Sequence, residues 1–170
     1  VDGSGEEAAK ARGTLLHALL EHLPRAAPSE WPAIAGTLIE DEAQCTALLA
    51  EASAVLSHPE LASLFAPEAL AEVGFSILYE GRPIRGTIDL LQVSTAGVLA
   101  VDFKSNYRVP DQVADTPEGI LRQLGAYDAA LQQIYPGKTV QTAVLWTRGP
   151  KLMRIDPNIV RAAFARSTIP

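Results

Sequence analysis

The sequence predicts an α/β domain, a mixed central β-sheet flanked by helices on both sides. Three observations carry this reading. Runs rich in β-branched and apolar residues fall at about 71–79, 84–93 and 98–104, separated by short polar or glycine-containing segments. Helical apolar periodicity precedes them, near 6–23, and follows them around Gln123. Strand-like runs then resume near 139–147 and 151–155, and a strand that returns after a helix calls for a mixed sheet covered on both faces.

Each element has its own signal. In the first helix Leu15, Leu16, Leu19, Leu20 and Leu23 form a broad apolar stripe, with Gly13, His17 and Glu21 at four-residue intervals on a neighbouring face. Pro24, Pro28 and Pro32 then mark a Pro-rich link, followed by a helix near 40–57 and a short one near 59–65. Strands 84–93 and 98–104 flank Ser94–Gly97, a plausible turn, and read as a hairpin. A loop from Ser105 to Asp115 leads to the next helix, where Thr116 suits the cap and Pro117 the first position. Ile120, Leu124, Tyr127 and Leu131 make its apolar stripe. The Arg148–Lys151 segment reads as a hairpin turn between the last two strands, and a helix near 157–166 closes the chain.

Length and composition bound the rest. A chain of 170 residues with 48% hydrophobic content is one domain able to bury a real core. Cys45 is its only cysteine, which excludes a disulfide framework and a cysteine-ligated iron-sulfur cluster within this chain and fits a reducing, cytoplasmic setting. No apolar run reaches membrane-spanning length, and no signal peptide is evident, so no membrane partner is expected. Residues 1–12 are expected to be a flexible or tag-derived lead into the first helix, with residues 13–170 as the single domain, a piece of a larger protein. Net charge is −6 but uneven: −9 over residues 1–72 (12 acidic, 3 basic) and +5 over residues 136–170 (1 acidic, 6 basic). The basic third either tracks phosphates or is a solvated surface.

The chemistry concentrates in Gly86–Lys104. With the hairpin centred between Thr95 and Ala96, cross-strand partners have numbers summing to 191, which sets Asp89 opposite Asp102. Facing carboxylates destabilise a sheet unless a proton or cation lies between them. Lys104 is two residues beyond Asp102 and shares its face. Two readings stand: a carboxylate-held divalent ion with a lysine beside it, suited to phosphodiester hydrolysis, or a buried Asp–Lys ion pair with Asp89 near a turn. His17 is either a ligand or a structural histidine, and Gln123 and Tyr127, one helical turn apart, are either site residues or core.

The order of these motifs is specific. G-x-x-x-H-x-x-x-E at Gly13–Glu21, then Gly86 to Asp89, then Asp102-Phe103-Lys104, then Q-x-x-x-Y at Gln123–Tyr127 resembles the PD-(D/E)XK nuclease superfamily. Within it, the likeness is to RecB-type nuclease domains, above all the C-terminal nuclease of the AddA subunit of bacterial AddAB helicase-nucleases, and it runs from about Gly13 to Arg154. The resemblance implies a restriction-endonuclease-like core. It implies that His17, Asp89, Asp102 and the backbone carbonyl of Phe103 bind Mg²⁺ or Mn²⁺, that Lys104 is catalytic, and that Gln123 and Tyr127 lie beside the site and contact DNA. Ile88 stands where the superfamily name has proline, a change RecB-type members share. Glu72 occupies the place of a family acidic residue, its role left open.

Tyr107, Arg108, Arg148 and Lys151 are candidate DNA contacts from loops beside the site, where an aromatic and an Arg can clamp unpaired nucleotides. The expected partners are single-stranded DNA, helicase domains of the same polypeptide and an AddB-like subunit. The expected function is therefore cutting of strands produced by a helicase during recombinational repair of double-strand breaks. The rivals are a free-standing RecB-like exonuclease and an inactive fold that binds DNA ends or scaffolds a partner.

Overall fold

The strand-forming stretch after the first helices folds as the antiparallel run β1 (Leu70–Tyr79), β2 (Arg82–Val93) and β3 (Gly97–Lys104). The computed structural model describes residues 3–167. Glu80 and Gly81, both at positive φ, close the first hairpin, the backbone handedness that a two-residue turn needs. In the second hairpin Leu90 faces Val101 and Val93 faces Val98, the predicted register.

After β3 the chain crosses through α4 (Glu118–Ile134) and returns as β4 (Thr139–Trp146), parallel to β3 along its whole length. β5 (Lys151–Ile155) pairs antiparallel with β4, giving the order β1-β2-β3-β4-β5. The predicted mixed sheet is therefore the one observed.

Helices cover both faces. α4 and α5 (Pro157–Ser167) bury Leu124, Tyr127, Leu131, Val160 and Ala163 against Ile88, Ala100, Val144 and Trp146. Gly125 permits the α4–α5 contact, because a Cβ there would lie 2.3 Å from the Val160 carbonyl oxygen. The opposite face is covered by α1 (Gly3–His22), α2 (Trp31–Leu38) and α3 (Glu42–Leu56). Leu16, Leu19 and Leu20 of α1 and Leu48 of α3 pack there on Leu90, Val101, Phe103 and Leu145.

Several local expectations are corrected. The link through Pro24, Pro28 and Pro32 contains two 3₁₀ turns and α2, since a proline in a first turn loses no helical hydrogen bond. Trp31 fastens it, its indole N–H donating to the Leu23 carbonyl at 2.9 Å. The segment near 59–65 contains only a 3₁₀ turn at Ala62–Phe65. Thr116 does not cap α4: it is buried, and its hydroxyl points to Met153 Sδ at 3.5 Å. α1 begins at Gly3, ahead of the predicted Glu6.

Candidate active site

The site forms where the regular pairing of β2 with its neighbours stops. The β2–β3 ladder ends at Leu90–Val101, one pair before Asp89 and Asp102. The β1–β2 ladder skips the position where Glu72 would meet Asp89. Both strands change face there: Ile88 and Val73 belong to the α4–α5 side, whereas Leu90 packs on the α1–α3 side and Ala71 lines a hollow with it. Glu72 makes the turn at φ 51°, in the left-handed region that costs a non-glycine residue roughly 1–2 kcal/mol. Such a break lets Asp89 turn its carboxylate to the Phe103 N–H and to His17 instead of standing in a regular ladder.

Asp89 fills the gap with its side chain. Oδ2 accepts the Phe103 backbone N–H at 2.8 Å, and Oδ1 lies 3.3 Å from Nδ1 of His17, which α1 delivers from the other layer. The second His17 nitrogen, Nε2, lies 3.1 Å from the Phe103 carbonyl oxygen. Two of the four predicted metal donors, Asp89 and the Phe103 carbonyl, thus converge on a third, the His17 imidazole. His17, Asp89 and Glu72 offer donor atoms all within 4.8 Å of one another, which adds Glu72 to the set.

Asp102 lies beside this group, 1% exposed, sharing a hydrogen bond with Asp89 and paired with the Lys104 ammonium at 3.1 Å. The buried Oδ2 is the oxygen that faces Lys104 Nζ, and apart from that ion pair it meets no hydrogen-bond donor among the described residues. Burial is the main cause that pushes the Asp102 carboxyl up to about 7; Lys104 opposes and Asp89 adds to the rise. Burial also acts on Asp89, but the His17 hydrogen bond and charge and the Phe103 N–H outweigh it and hold Asp89 below the usual carboxylate range. For His17 burial opposes protonation, yet Asp89, Asp102 and the Phe103 carbonyl raise it above the ordinary histidine value. Glu72 is raised, by burial and then by the Asp89 charge.

The lysine is held from α4. Lys104 Nζ donates to Gln123 Oε1 at 3.1 Å, Gln123 Nε2 donates to the Tyr127 oxygen at 2.9 Å, and the Tyr127 hydroxyl donates to the Thr87 carbonyl at 2.7 Å. The Gln123 amide and the Tyr127 hydroxyl each donate to one acceptor here, which orients both the amide and the phenol. Burial, then Asp102 and Asp89, keep Tyr127 protonated far above neutral pH.

A model of the PD-(D/E)XK nuclease superfamily matches residues 2–166. The chain belongs to this superfamily. No curated protein matches it. The five-stranded mixed sheet between helical layers is consistent with the restriction-endonuclease-like core expected of such a nuclease.

The donor set fits a divalent cation. A hard ion such as Mg²⁺ takes carboxylate and carbonyl oxygens, and an imidazole suits Mn²⁺ better. Here two carboxylates, a carbonyl and an imidazole crowd together, next to the buried Asp102 carboxylate, whose Oδ2 is met by the Lys104 ammonium alone among the described residues.

The loop candidates separate. Tyr107 is 87% exposed, and the Arg148 guanidinium lies over its ring, 5.4 Å from the centroid. Both residues and Arg108 line a groove of about 790 Å³ beside Ser105, the residue after Lys104. Lys151 instead turns its ammonium to the Pro110 and Asp111 carbonyls at 3.2 Å, a loop-holding role. The rest of the basic C-terminal third is dispersed: Arg161 pairs with buried Asp128, Arg166 with Glu118, Arg154 with Gln141, and Lys138 with the Ser94 carbonyl. Sequence reasoning missed Arg12 of α1, which lines the same groove, and its partner Glu51 of α3. Nothing in the local pattern links two residues 39 apart on different helices. No helix among the described residues is long and apolar enough to cross a membrane.

Proposed function

We propose that this domain hydrolyses phosphodiester bonds of single-stranded DNA with a divalent cation, held by His17, Asp89, the Phe103 carbonyl and Asp102, with Glu72 beside them. The carrying observation is the single imidazole facing both Asp89 and the Phe103 carbonyl, next to an anchored lysine. When bound, the cation supplies an activated water and positive charge at the phosphate.

The chain's own residues do the remaining work. Asp89 holds the two strands in register through the Phe103 N–H, so the Phe103 carbonyl is aimed back toward His17. Lys104, fixed between Asp102 and Gln123, presents its ammonium where negative charge grows on the phosphate, stabilisation that serves the transition state more than the ground state. Tyr127, pinned to Thr87, keeps Gln123 from swinging away. The exposed Tyr107 ring with Arg148 over it suits a base of a single strand, because in a duplex both faces of a base are covered by its stacked neighbours.

The likeness to AddA nucleases supports a setting in which helicase domains and an AddB-like subunit deliver the strand, in double-strand break repair. The small net positive charge of the groove agrees with dependence on such delivery: Arg12, Arg108 and Arg148 stand against Asp111 and Asp115.

The test is cleavage of end-labelled single- and double-stranded DNA with Mg²⁺, Mn²⁺ or EDTA. Metal-stimulated cutting that falls by about 10²-fold or more in Asp89→Ala and Asp102→Ala supports the reading. Undiminished cutting in both variants overturns it.

A further inference from the structure

Arg12 sits in an unusual setting for a surface arginine. Its guanidinium meets both oxygens of Glu51, at 3.0 and 3.5 Å, and the Glu51 side chain is only 11% exposed. Glu51 is held in turn by Thr147, whose hydroxyl lies 3.1 Å from Oε2 and 3.3 Å from the Lys104 carbonyl. Thr147 itself is 1% exposed, and its backbone N–H donates to that same carbonyl at 3.0 Å. One chain of polar contacts therefore runs from the backbone of the site lysine through β4's end and α3 to an arginine on α1.

That arginine faces the groove that contains Ser105, Tyr107 and Arg148. The neighbouring Gly13 lies close to Ser105, where an added Cβ would be 3.7 Å from the Ser105 hydroxyl. A guanidinium has five N–H donors, of which Glu51 engages two, so the fork retains donors for a second oxyanion. An ion pair built only for stability needs neither a groove-lining arginine nor a buried link to the residue that carries the catalytic amine.

We infer that Arg12 forms a phosphate subsite, gripping a non-scissile phosphate of a single strand whose scissile phosphate lies at Lys104, with Glu51 as the residue that positions it. This rests on the nuclease reading and deepens it. Thr147 couples the subsite to the Lys104 backbone, so the groove and the reacting centre keep a fixed spacing.

The test measures binding of a fluorescent single-stranded oligonucleotide by anisotropy across a salt series with Mg²⁺, in a Lys104→Ala background, adding Arg12→Gln or Arg12→Lys. Gln keeps hydrogen bonds to Glu51 and so protects folding, which thermal melts monitor. With Arg12→Gln, affinity at low salt falls roughly fivefold, and the slope of log K against log salt becomes shallower by about 0.7. Arg12→Lys keeps the slope, because the charge remains. Affinity within twofold of the parent and an unchanged slope in Arg12→Gln overturn the subsite. If the unsubstituted protein still cuts the oligonucleotide in that case, the subsite alone has failed; if it neither binds nor cuts, the nuclease reading has failed with it.

Discussion

His17 Nε2 lies 3.1 Å from the Phe103 carbonyl oxygen while its Nδ1 lies 3.3 Å from Asp89 Oδ1. Both partners accept, so only the doubly protonated ring satisfies both, and a positive charge then sits among the donors proposed for a cation. His17 is accordingly raised above the ordinary histidine value once burial is outweighed, and burial raises Asp102 to about 7. Both groups hold protons more tightly folded than unfolded. Their contribution to stability is complete below the unfolded values and is lost as pH rises through the folded ones. The metal-free protein is expected to lose several degrees of Tm between pH 5.5 and pH 8, read by thermal melts in EDTA. Asp89, lowered in the fold, contributes with the opposite sign and only in acid, outside this window.

Binding of Mn²⁺ must displace those protons. Below pH 7 the affinity is expected to climb with pH, and above about 7 the part due to Asp102 levels off. Calorimetric titration in two buffers of different ionisation enthalpy checks this through the number of protons released. An affinity independent of pH between 5.5 and 7 contradicts the assignment of Asp102 to the metal site.

Tyr127→Phe removes the donor that meets the Thr87 carbonyl and the acceptor that meets Gln123. Loss of stability of about 1–2 kcal/mol is expected from the unmet buried partners. Cleavage should fall with Mn²⁺ affinity unchanged, because Tyr127 touches Gln123 and not the donors. Denaturant unfolding and steady-state cutting of the same sample separate the two effects.

Gly125→Ala places a methyl 2.3 Å from the Val160 carbonyl oxygen and 2.5 Å from Phe164 Cβ. Backbone has to move, so α5 shifts on α4 at an expected cost of about 1–3 kcal/mol. Gly119→Ala, where no neighbour lies within 4 Å of the added Cβ, is the control and should leave unfolding midpoints unchanged or slightly higher.

Much of this was legible because it depends on neighbours in sequence. The hairpin register followed from apolar runs on either side of a short turn, and with it the meeting of Asp89, Asp102 and Lys104. Gln123 and Tyr127 share a helix face by spacing alone, and their hydrogen bond is the result. The break at Glu72 was not legible, since a glutamate at positive φ carries no sequence mark and is imposed by tertiary packing. Nor was α2: three prolines suggested a breaker, whereas Pro32 sits in a first turn where proline does no harm. The Arg12–Glu51–Thr147 chain spans 39 and 96 residues between partners and belongs to the assembled layers alone.

The most direct measurement is cutting of end-labelled single-stranded DNA at low salt with Mn²⁺ by the unsubstituted protein and by a folded Lys104→Ala variant, with Mn²⁺ affinity measured for both. Metal-dependent cutting that drops by about 10²-fold in the variant, with Mn²⁺ affinity retained, is the expected result. Equal cutting by both proteins, or Mn²⁺ binding that disappears with the lysine, would contradict the division of labour between the donors around His17 and the amine held by Gln123.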